Sequence, residues 1–506
     1  MLIDIHLHSS RHSACSTADP VELVRAAAGK NLQGMVITEH HYLWTKTELD
    51  ALRLGSGIGP HFLLFSGQEV ETDIGHVLVF GAGRSIRNKL RLRELKRLFP
   101  EAALVWAHPF RGRDPEPEEL LNPDLDAVEI INTNHTAKEH YRALDLWHRC
   151  RFTAVAGSDA HEPRLAGVFP TDFDHPVKTI RELAGEIRSG RCRPFLKEIP
   201  RAGGNVVVTA ISLGAKGEDE YRQRLILRRV TSRKKWKQTG AALEVVAALL
   251  ERGFGKGRYR VPKIIEVDEK EKIVIEEGQR GKLLFDLLPG VSPRVGGRYF
   301  RMAAHWLGRL HRERLRIGEA ERTRKKEEKK FESYLERFEN AGHPDRKRFR
   351  NLLEWIGGRE GELLERGEAR FVQVHGDYHP KNIIIGQDRM QDIATLFISV
   401  IDFDNSLLFD PAFDVGGFLA QFAYQFRHFP RVRKNCREDD FLAAYLEKRK
   451  DAGENFEERV RLFRVRANLS IANYLLKVGE GGSPDLEELL AESEALIEKS
   501  GQTSFV

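Results

Sequence analysis

His6 and His8 stand two residues apart in the stretch DIHLHSS, with Asp4 two residues before them. In an extended strand residues i, i+2 and i+4 point to one face, so this spacing gathers a carboxyl group and two imidazoles on one side. Two neutral imidazoles converging in this way can hold a divalent ion, and Asp4 could fix one ring by accepting its second N–H. Taken alone, H-x-H reads equally well as a polar strand edge with two satisfied histidines. More donors of the same kind follow: Glu39 and His40 in TEH, Glu69 in GQE, His76 in GHVLVFG, His108 in WAHP, and Asp159 and His161 in GSDAH.

The elements that must position these groups are short apolar runs. They read LIDIHLH from residue 2, GMVIT from 34, HFLLFSG from 61, HVLVFG from 76, ALVWAHP from 103, DAVEIIN from 126 and TAVAGSD from 153. Helical stretches fall between several of them. DPVELVRAAAGKN opens with an Asp cap and a Pro at the first helical position and ends near a Gly. Strands alternating with helices predict a parallel sheet or an α/β barrel, and in a barrel the groups at the strand C-termini surround one shared cavity.

In order and context, DIHLHS, TEH, GQE, HVLVFG, HP and GSDAH resemble the PHP family, the polymerase and histidinol phosphatase domain of metal-dependent phosphoesterases, over residues 1–196. The resemblance implies a distorted (β/α)7 barrel holding two or three divalent ions of zinc, manganese or iron type. It implies one ion on His6, His8, Glu69 and Asp159. Glu69 would bridge to a second ion held by His76 and His108, and His40 and His161 would hold a third. Glu39 stands where the family has Asp. His12 stays open between ligand and loop residue. Arg111 and Arg113 in HPFRGR read as phosphate clamps or as solvated loop charges, and so does Arg164. His135 reads as a polar loop residue.

A second constellation lies in VHGDYHPKNIII, residues 374–385, and VIDFDNSLLFDPAFDVGGF from 400. An Asp, an Asn five residues on, and an Asp ending an apolar strand form the layout a phosphoryl-transfer site needs. One carboxylate takes the acceptor's proton, and an amide and a second carboxylate hold Mg²⁺ on the nucleotide. This part resembles small-molecule kinases of the aminoglycoside phosphotransferase and choline kinase type over residues 197–506. The resemblance implies Asp377 as catalytic base, Asn382 and Asp402 as Mg²⁺ ligands, ATP as donor, and His375 and Asp414 as braces of the loop. His311 in RLHRE would be structural. Where the family has a strand lysine, LILRRV offers Arg228 and Arg229; Arg228 would face the nucleotide and Glu244 would be its ion-pair partner. Arginine keeps the charge but not the point-like geometry of lysine. Lys234 and Lys235 are the alternatives.

The expected organisation is a PHP domain over 1–196, a kinase-like N-lobe over 197–288 and a helical C-lobe over 289–506, an α/β barrel followed by an α+β two-lobed fold. The charge-laced run AERTRKKEEKKFESYLERFENAG reads as a solvated helix face. Of the 506 residues, 81 are basic and 75 acidic, so the signs nearly cancel at +6. That balance suits an anionic small molecule and argues against nucleic acid as partner. Four scattered cysteines and an N-terminus carrying Asp4 and His6 lead to the expectation of a cytoplasmic chain without leader or membrane span. The expected function is twofold: hydrolysis of a phosphate ester and ATP-dependent phosphorylation of a small-molecule hydroxyl. The alternative is a phosphoesterase whose kinase-like half is a nucleotide- or substrate-binding module.

Overall fold

The computed structural model describes residues 1–30, 32–214, 223–318, 320–365, 371–389, 392–451, 453 and 455–499, with the side chains of 320–327 and 363–365 left aside. The chain divides into two compact units, Met1–Arg229 with Ile265–Gly278, and Val230–Ile264 with Gln279–Val506.

In chain order the first unit begins with strand β1 (Leu2–Asp4), helix α1 (Pro20–Ala28), β2 (Gly34–His40), α2 (Lys46–Ser56), β3 (Leu63–Thr72) and β4 (Gly75–Phe80). It continues with α3 (Leu92–Leu98), β5 (Ala103–Trp106), α4 (Pro117–Leu120), β6 (Ala127–Ile131), α5 (Ala137–Cys150) and β7 (Ala154–Ala156). The strands β8 (Thr171–Phe173) and β9 (Cys192–Pro194) flank α6 (Ile180–Arg188). These nine strands form one sheet in the order β7-β6-β5-β4-β3-β2-β1-β8-β9. Its two ends meet where β7 packs against β9, which makes the sheet barrel-like. Strand β2 is buried at every position but its last, as a sheet covered on both faces requires. Helix α1 starts as the sequence predicts: the Asp19 side chain accepts from the N–H groups of Val21 and Glu22, Pro20 occupies the first turn, and Gly29 ends it.

The sheet is mixed rather than parallel. Residues 72–75 turn the chain tightly, so β4 runs antiparallel to both β3 and β5. The reversal returns the start of β4 to the sheet end where β3 finishes, which sets His76 beside Glu69.

The chain next builds β10 (Leu196–Gly203), β11 (Val206–Leu213) and β12 (Gln223–Val230). It enters the second unit through α7 (Arg233–Leu249) and β13 (Tyr259–Arg260), and comes back as β14 (Ile264–Asp268) and β15 (Ile273–Glu277). Strands β10-β11-β12-β15-β14 make a second sheet. Of the strands within 197–288, those of this second sheet therefore fall in the first unit but for Val230 and Ile264, and Leu225 and Leu227 of β12 join hydrophobic clusters with residues of α5, whereas β13 and the strand Lys282–Leu283 pair with the strands Leu396–Val400 and Ile383–Gln387 in the second unit.

The second unit continues with β16 (Lys282–Leu283), α8 (Leu284–Leu287), α9 (Pro293–Arg312), α10 (Ala320–Asn340), α11 (Arg346–Glu365), β17 (Val372–Val374), β18 (Ile383–Gln387), β19 (Leu396–Val400) and β20 (Leu407–Phe409). Helices α12 (Ala412–Gln425), α13 (Pro430–Asn435), α14 (Glu438–Lys448), α15 (Phe456–Lys477) and α16 (Pro484–Glu498) complete it. Its main core is aromatic: Phe300 on α9, Phe418 and Phe422 on α12, and Phe441 on α14 pack together with ring centroids 4.1–6.0 Å apart. Among the described residues no helix is long and apolar enough to cross a membrane.

Candidate functional site

Glu69 is the hub of the first unit. Its Oε1 lies 2.8 Å from His76 Nδ1 and 3.0 Å from His108 Nε2, and its Oε2 lies 3.1 Å from His40 Nδ1, 3.2 Å from His8 Nε2 and 3.8 Å from His6 Nε2. Asp159 Oδ1 is 3.4 Å from Nε2 of both His6 and His8. The two Nε2 atoms are 3.1 Å apart. All eight metal-ligand positions read from the motifs thus share one neighbourhood, although the triads differ from the expected partition. Close donor groups are His6–His8–Asp159, His6–Glu69–His108 and His40–Glu69–His76. His40 sides with His76 rather than with His161, whose Nδ1 meets Asp159 instead, 3.7 Å from Oδ1.

Two residues missed by the sequence reading, Glu129 and Ser13, orient these donors. The His6 Nδ1–H donates to Glu129 Oε1 at 2.9 Å, so Glu129, not Asp4, fixes this ring. Asp4 accepts instead from the N–H groups of Ser158 (2.9 Å) and Gly167 (2.7 Å), tying down the loop that carries Asp159; burial pushes its carboxyl up to about 6. The His8 Nδ1–H donates to Ser13 Oγ at 3.3 Å, and the Ser13 hydroxyl donates to Glu39. Glu39 also accepts from Ser9 and Trp44, which makes it a brace rather than a ligand. Cys15 lies with His8 and His40 in a further close donor group. His12, the open candidate, is elsewhere: its ring stacks on Tyr42 and its Nε2 is 3.3 Å from Glu48.

Backbone geometry also serves the cluster. His108 (φ +33) and Asp159 (φ +48) occupy the left-handed region that L residues avoid, which is where functional sites store strain. A Cβ on Gly157 would stand 2.5 Å from His6 Cβ and 2.6 Å from Glu129 Oε1, so only glycine lets β7 pass the first histidine.

The electrostatics follow from crowding. Burial works against charge on Glu69, yet hydrogen bonds from His108, His6, His76 and His8 hold its carboxyl well below the usual range. Asp159 is also lowered: burial opposes this, and His6 and His8 outweigh it. Burial disfavours charged His6 and His8, but the neighbouring carboxylates raise both. His40, less well paired, is pushed down to about 4 by burial. With Nδ1 of His6 and His8 committed as donors, both Nε2 lone pairs and two carboxylates face one space. That donor set fits divalent cations.

Of the expected phosphate contacts, Arg111 is at the cluster, 3.6 Å from Asp159 Oδ2 and half exposed. Arg113 is not: its guanidinium is taken by Glu119 at 2.6 Å and lies over Trp106. Arg164 pairs with Glu162. His135 is buried against His140, with burial pushing it down to about 3, and no partner for either ring nitrogen exists among the described residues.

In the second unit the centre is Asp414. Its Oδ2 accepts the His375 N–H at 2.6 Å and its Oδ1 the Gly376 N–H at 2.8 Å, while His311 Nε2 donates to Oδ2 at 3.1 Å. The loop after β17 is thereby fixed immediately before Asp377. Gly376 (φ +83) is needed there, because a Cβ would fall 2.0 Å from the Asn405 carbonyl oxygen. Asn382 Nδ2 donates to the Asp377 carbonyl at 3.0 Å, and the Asn382 carbonyl accepts the Ile401 N–H at 3.0 Å. His375 Nε2 donates to the Ile401 carbonyl at 3.1 Å. These bonds join the Asp377 loop to exposed Asp402, itself left-handed at φ +66. Burial opposes charge on Asp377, but His379, 3.6 Å away, and His375 hold its carboxyl below the usual range. Asp377 and Asn382 are therefore bonded in one loop, and the strand that leads to Asp402 is tied to it through Ile401.

The residues expected at the nucleotide are placed differently. Arg228 NH2 is 3.1 Å from Glu276 on the adjacent strand β15. Glu244 lies on the exposed side of α7, opposite buried Ala242, Val245, Val246 and Leu249. Lys235 in the first turn of α7 reaches Asp404, with Nζ 2.8 Å from Oδ2.

Residues 215–458 match the family model of the phosphotransferase enzyme family, and residues 137–192 match a PHP-associated model. Among solved structures, the choline kinase LicA from Streptococcus pneumoniae is 15% identical, with a TM-score of 0.40 over 60% of this chain and 93% of that one. An ethanolamine kinase from Plasmodium vivax is 16% identical, with a TM-score of 0.38 over 61% and 84%. The GDP complex of aminoglycoside 2'-phosphotransferase-IIIa is 16% identical, with a TM-score of 0.38 over 59% and 92%. No curated protein matches the chain. The chain is thus similar to the phosphotransferase enzyme family over residues 215–458 and to a PHP-associated family over residues 137–192.

Proposed function

We propose that the chain joins two phosphoryl chemistries, an ATP-dependent small-molecule phosphotransferase in its second unit and a metal-dependent phosphoesterase in its first. The observation that carries the reading is the double backbone clamp of Asp414 on His375 and Gly376, which aims Asp377 into a cavity of about 410 Å³. There Asp377 would accept the proton of an acceptor hydroxyl, and Asn382 and Asp402 would hold Mg²⁺, which neutralises charge on the nucleotide phosphates.

In the first unit the donors around Glu69 and Asp159 support the binding of two or three zinc, manganese or iron ions. Such ions supply Lewis acidity toward a phosphoryl group and lower the pKa of water. The chain's own contribution is to aim Nε2 of His6 and His8 through Glu129 and Ser13, and to offer the Arg111 guanidinium to a phosphate oxygen. Four separated cysteines, none in a disulfide, support a reducing cytoplasmic setting.

The Arg228–Glu276 pair and the outward Glu244 favour a second reading of the kinase-like unit, as a module that binds nucleotide or substrate with weak transfer. One experiment separates the two. Phosphate release from phosphomonoesters and phosphodiesters with Mn²⁺ or Zn²⁺, and transfer from labelled ATP, are measured for wild type, His8→Ala, Asp159→Ala and Asp377→Ala. The bifunctional reading expects the first two variants to lose hydrolysis alone and the third to lose transfer alone. Nucleotide binding without transfer in wild type would establish the second reading.

A further inference from the structure

Of the four cysteines Cys15 alone is exposed, and among the described residues it alone falls in a group of metal-type donors. Its Sγ lies with one ligand atom each of His8 and His40, all three within 4.8 Å of one another. Donors that share an ion at about 2.0–2.3 Å stand within roughly 4.6 Å of each other, so this group needs little movement to close on one. The loop that carries Cys15 is tied to the cluster on both sides. Before it, Ser13 Oγ accepts the His8 Nδ1–H. After it, the Ser16 hydroxyl donates to the carbonyls of His8, at 2.8 Å, and His161, at 3.2 Å, and the Thr17 N–H donates to the His161 carbonyl at 3.1 Å.

This group differs in kind from its neighbours. The other three close donor groups each contain Glu69 or Asp159, whereas His8, Cys15 and His40 bring no carboxylate at all. Carboxylates suit manganese, imidazoles suit zinc and iron, and a thiolate selects zinc over manganese. The lone pairs also divide without conflict. His8 has a single nitrogen to offer, because its Nδ1–H is donated to Ser13. The Cys15 group shares no residue with His6–Glu69–His108, so each of these two sets can hold an ion while the other is filled.

Resting on the metal-binding reading above, we infer that Cys15 is a metal ligand whose thiolate holds an ion together with His8 and His40 and makes that position selective for zinc over manganese. On binding, the S–H bond breaks, its proton leaves to water, and a sulfur lone pair bonds the ion.

The test uses the full chain, stripped of metal and reloaded with Zn²⁺, Mn²⁺ or Co²⁺. X-ray absorption at the zinc edge is expected to show one sulfur neighbour per chain at about 2.3 Å, and the Co²⁺ form a near-ultraviolet thiolate-to-metal charge-transfer band. Both signals should vanish in Cys15→Ser and persist in Cys150→Ser, whose cysteine lies on α5 outside every close donor group among the described residues. Calorimetry should show Zn²⁺ affinity falling by at least about tenfold in Cys15→Ser, while Mn²⁺ affinity changes little. Cys15→Asp, which offers oxygen instead of sulfur, should retain the ion and lose the preference for zinc. Zinc or cobalt bound in wild type with nitrogen and oxygen neighbours alone would overturn the inference and leave the metal-binding reading standing, and this result does not depend on any variant folding. A charge-transfer band that survives Cys15→Ser, or a zinc preference unchanged by it, would also overturn the inference. Failure of wild type to bind any of the three ions would remove the metal-binding reading itself.

Discussion

Glu69 and Asp414 are both buried carboxylates at the centre of a candidate site, and their partners differ. Asp414 is met by two backbone N–H groups and one imidazole, so its acceptors are filled by donors the fold itself holds in place. Glu69 is met by five imidazoles. Two carboxylate oxygens offer about four acceptor positions, and some of these rings already use one nitrogen elsewhere. Backbone donors are fixed in number and sign, whereas a ring nitrogen is donor or lone pair according to its proton. The second site is organised by its own chain; the first, on the metal-binding reading proposed above, would be completed by what it binds.

The largest expected break in this comparison is Glu69→Ala. Removing the hub leaves several imidazoles and Asp159 without their shared partner, and losing one member of a buried charged cluster costs about 3–5 kcal/mol. Denaturant unfolding followed by tryptophan fluorescence would measure this for the metal-free chain. Metal addition sharpens the contrast next. Mn²⁺ or Zn²⁺ at about a hundred times its Kd should stabilise the first unit by about 2.7 kcal/mol by mass action. Hydrogen exchange should locate the gain in β1–β7 and leave α12 and α15 unchanged.

Asp414→Asn comes third. The amide can accept only through one oxygen, so one of the two backbone N–H groups at His375 and Gly376 faces an NH₂ group instead. The loss is about 2 kcal/mol of stability. Because the strain falls on the residues just before Asp377, kcat for transfer should fall while the Kd for nucleotide stays near its wild-type value.

Sequence and structure agree where chemistry restricts the choice of residue. The gathering of His6, His8, His76, His108 and Asp159 about Glu69 is legible because donors of one kind recur at neighbouring strand ends, and the bonding of Asn382 to the Asp377 loop because the two are five residues apart in one motif. The hairpin between β3 and β4 was not legible as a reversal, since HVLVFG reads the same in either direction of pairing. Spacing also misassigned the ring-fixing acid. Asp4 shares strand parity with His6, but the sheet brings Glu129 of β6 to Nδ1. A lone Glu in the apolar run DAVEIIN was the available signal, because a buried carboxylate needs a partner. Glu244 shows a different relation between pattern and position. Its helix buries Ala242, Val245, Val246 and Leu249, a pattern readable from sequence that leaves Glu244 on the outer side.

The finest test of the contrast is Glu129→Gln. Glutamine keeps the size of the side chain and can still accept the His6 Nδ1–H through its carbonyl oxygen, but it loses the charge that makes the ring a better electron donor. If the first unit is completed by metal, His6 Nε2 should become a weaker ligand, and metal affinity should fall by about tenfold, beyond the stability of about 2 kcal/mol lost with or without metal because the new NH₂ group faces the His108 N–H and the Asn132 amide. If Glu129 only fills space beneath Gly157, affinity should not change and the loss should appear as reduced stability with or without metal. Titration with Mn²⁺, read by calorimetry on both proteins, distinguishes an acid that tunes a ligand from one that merely packs against it.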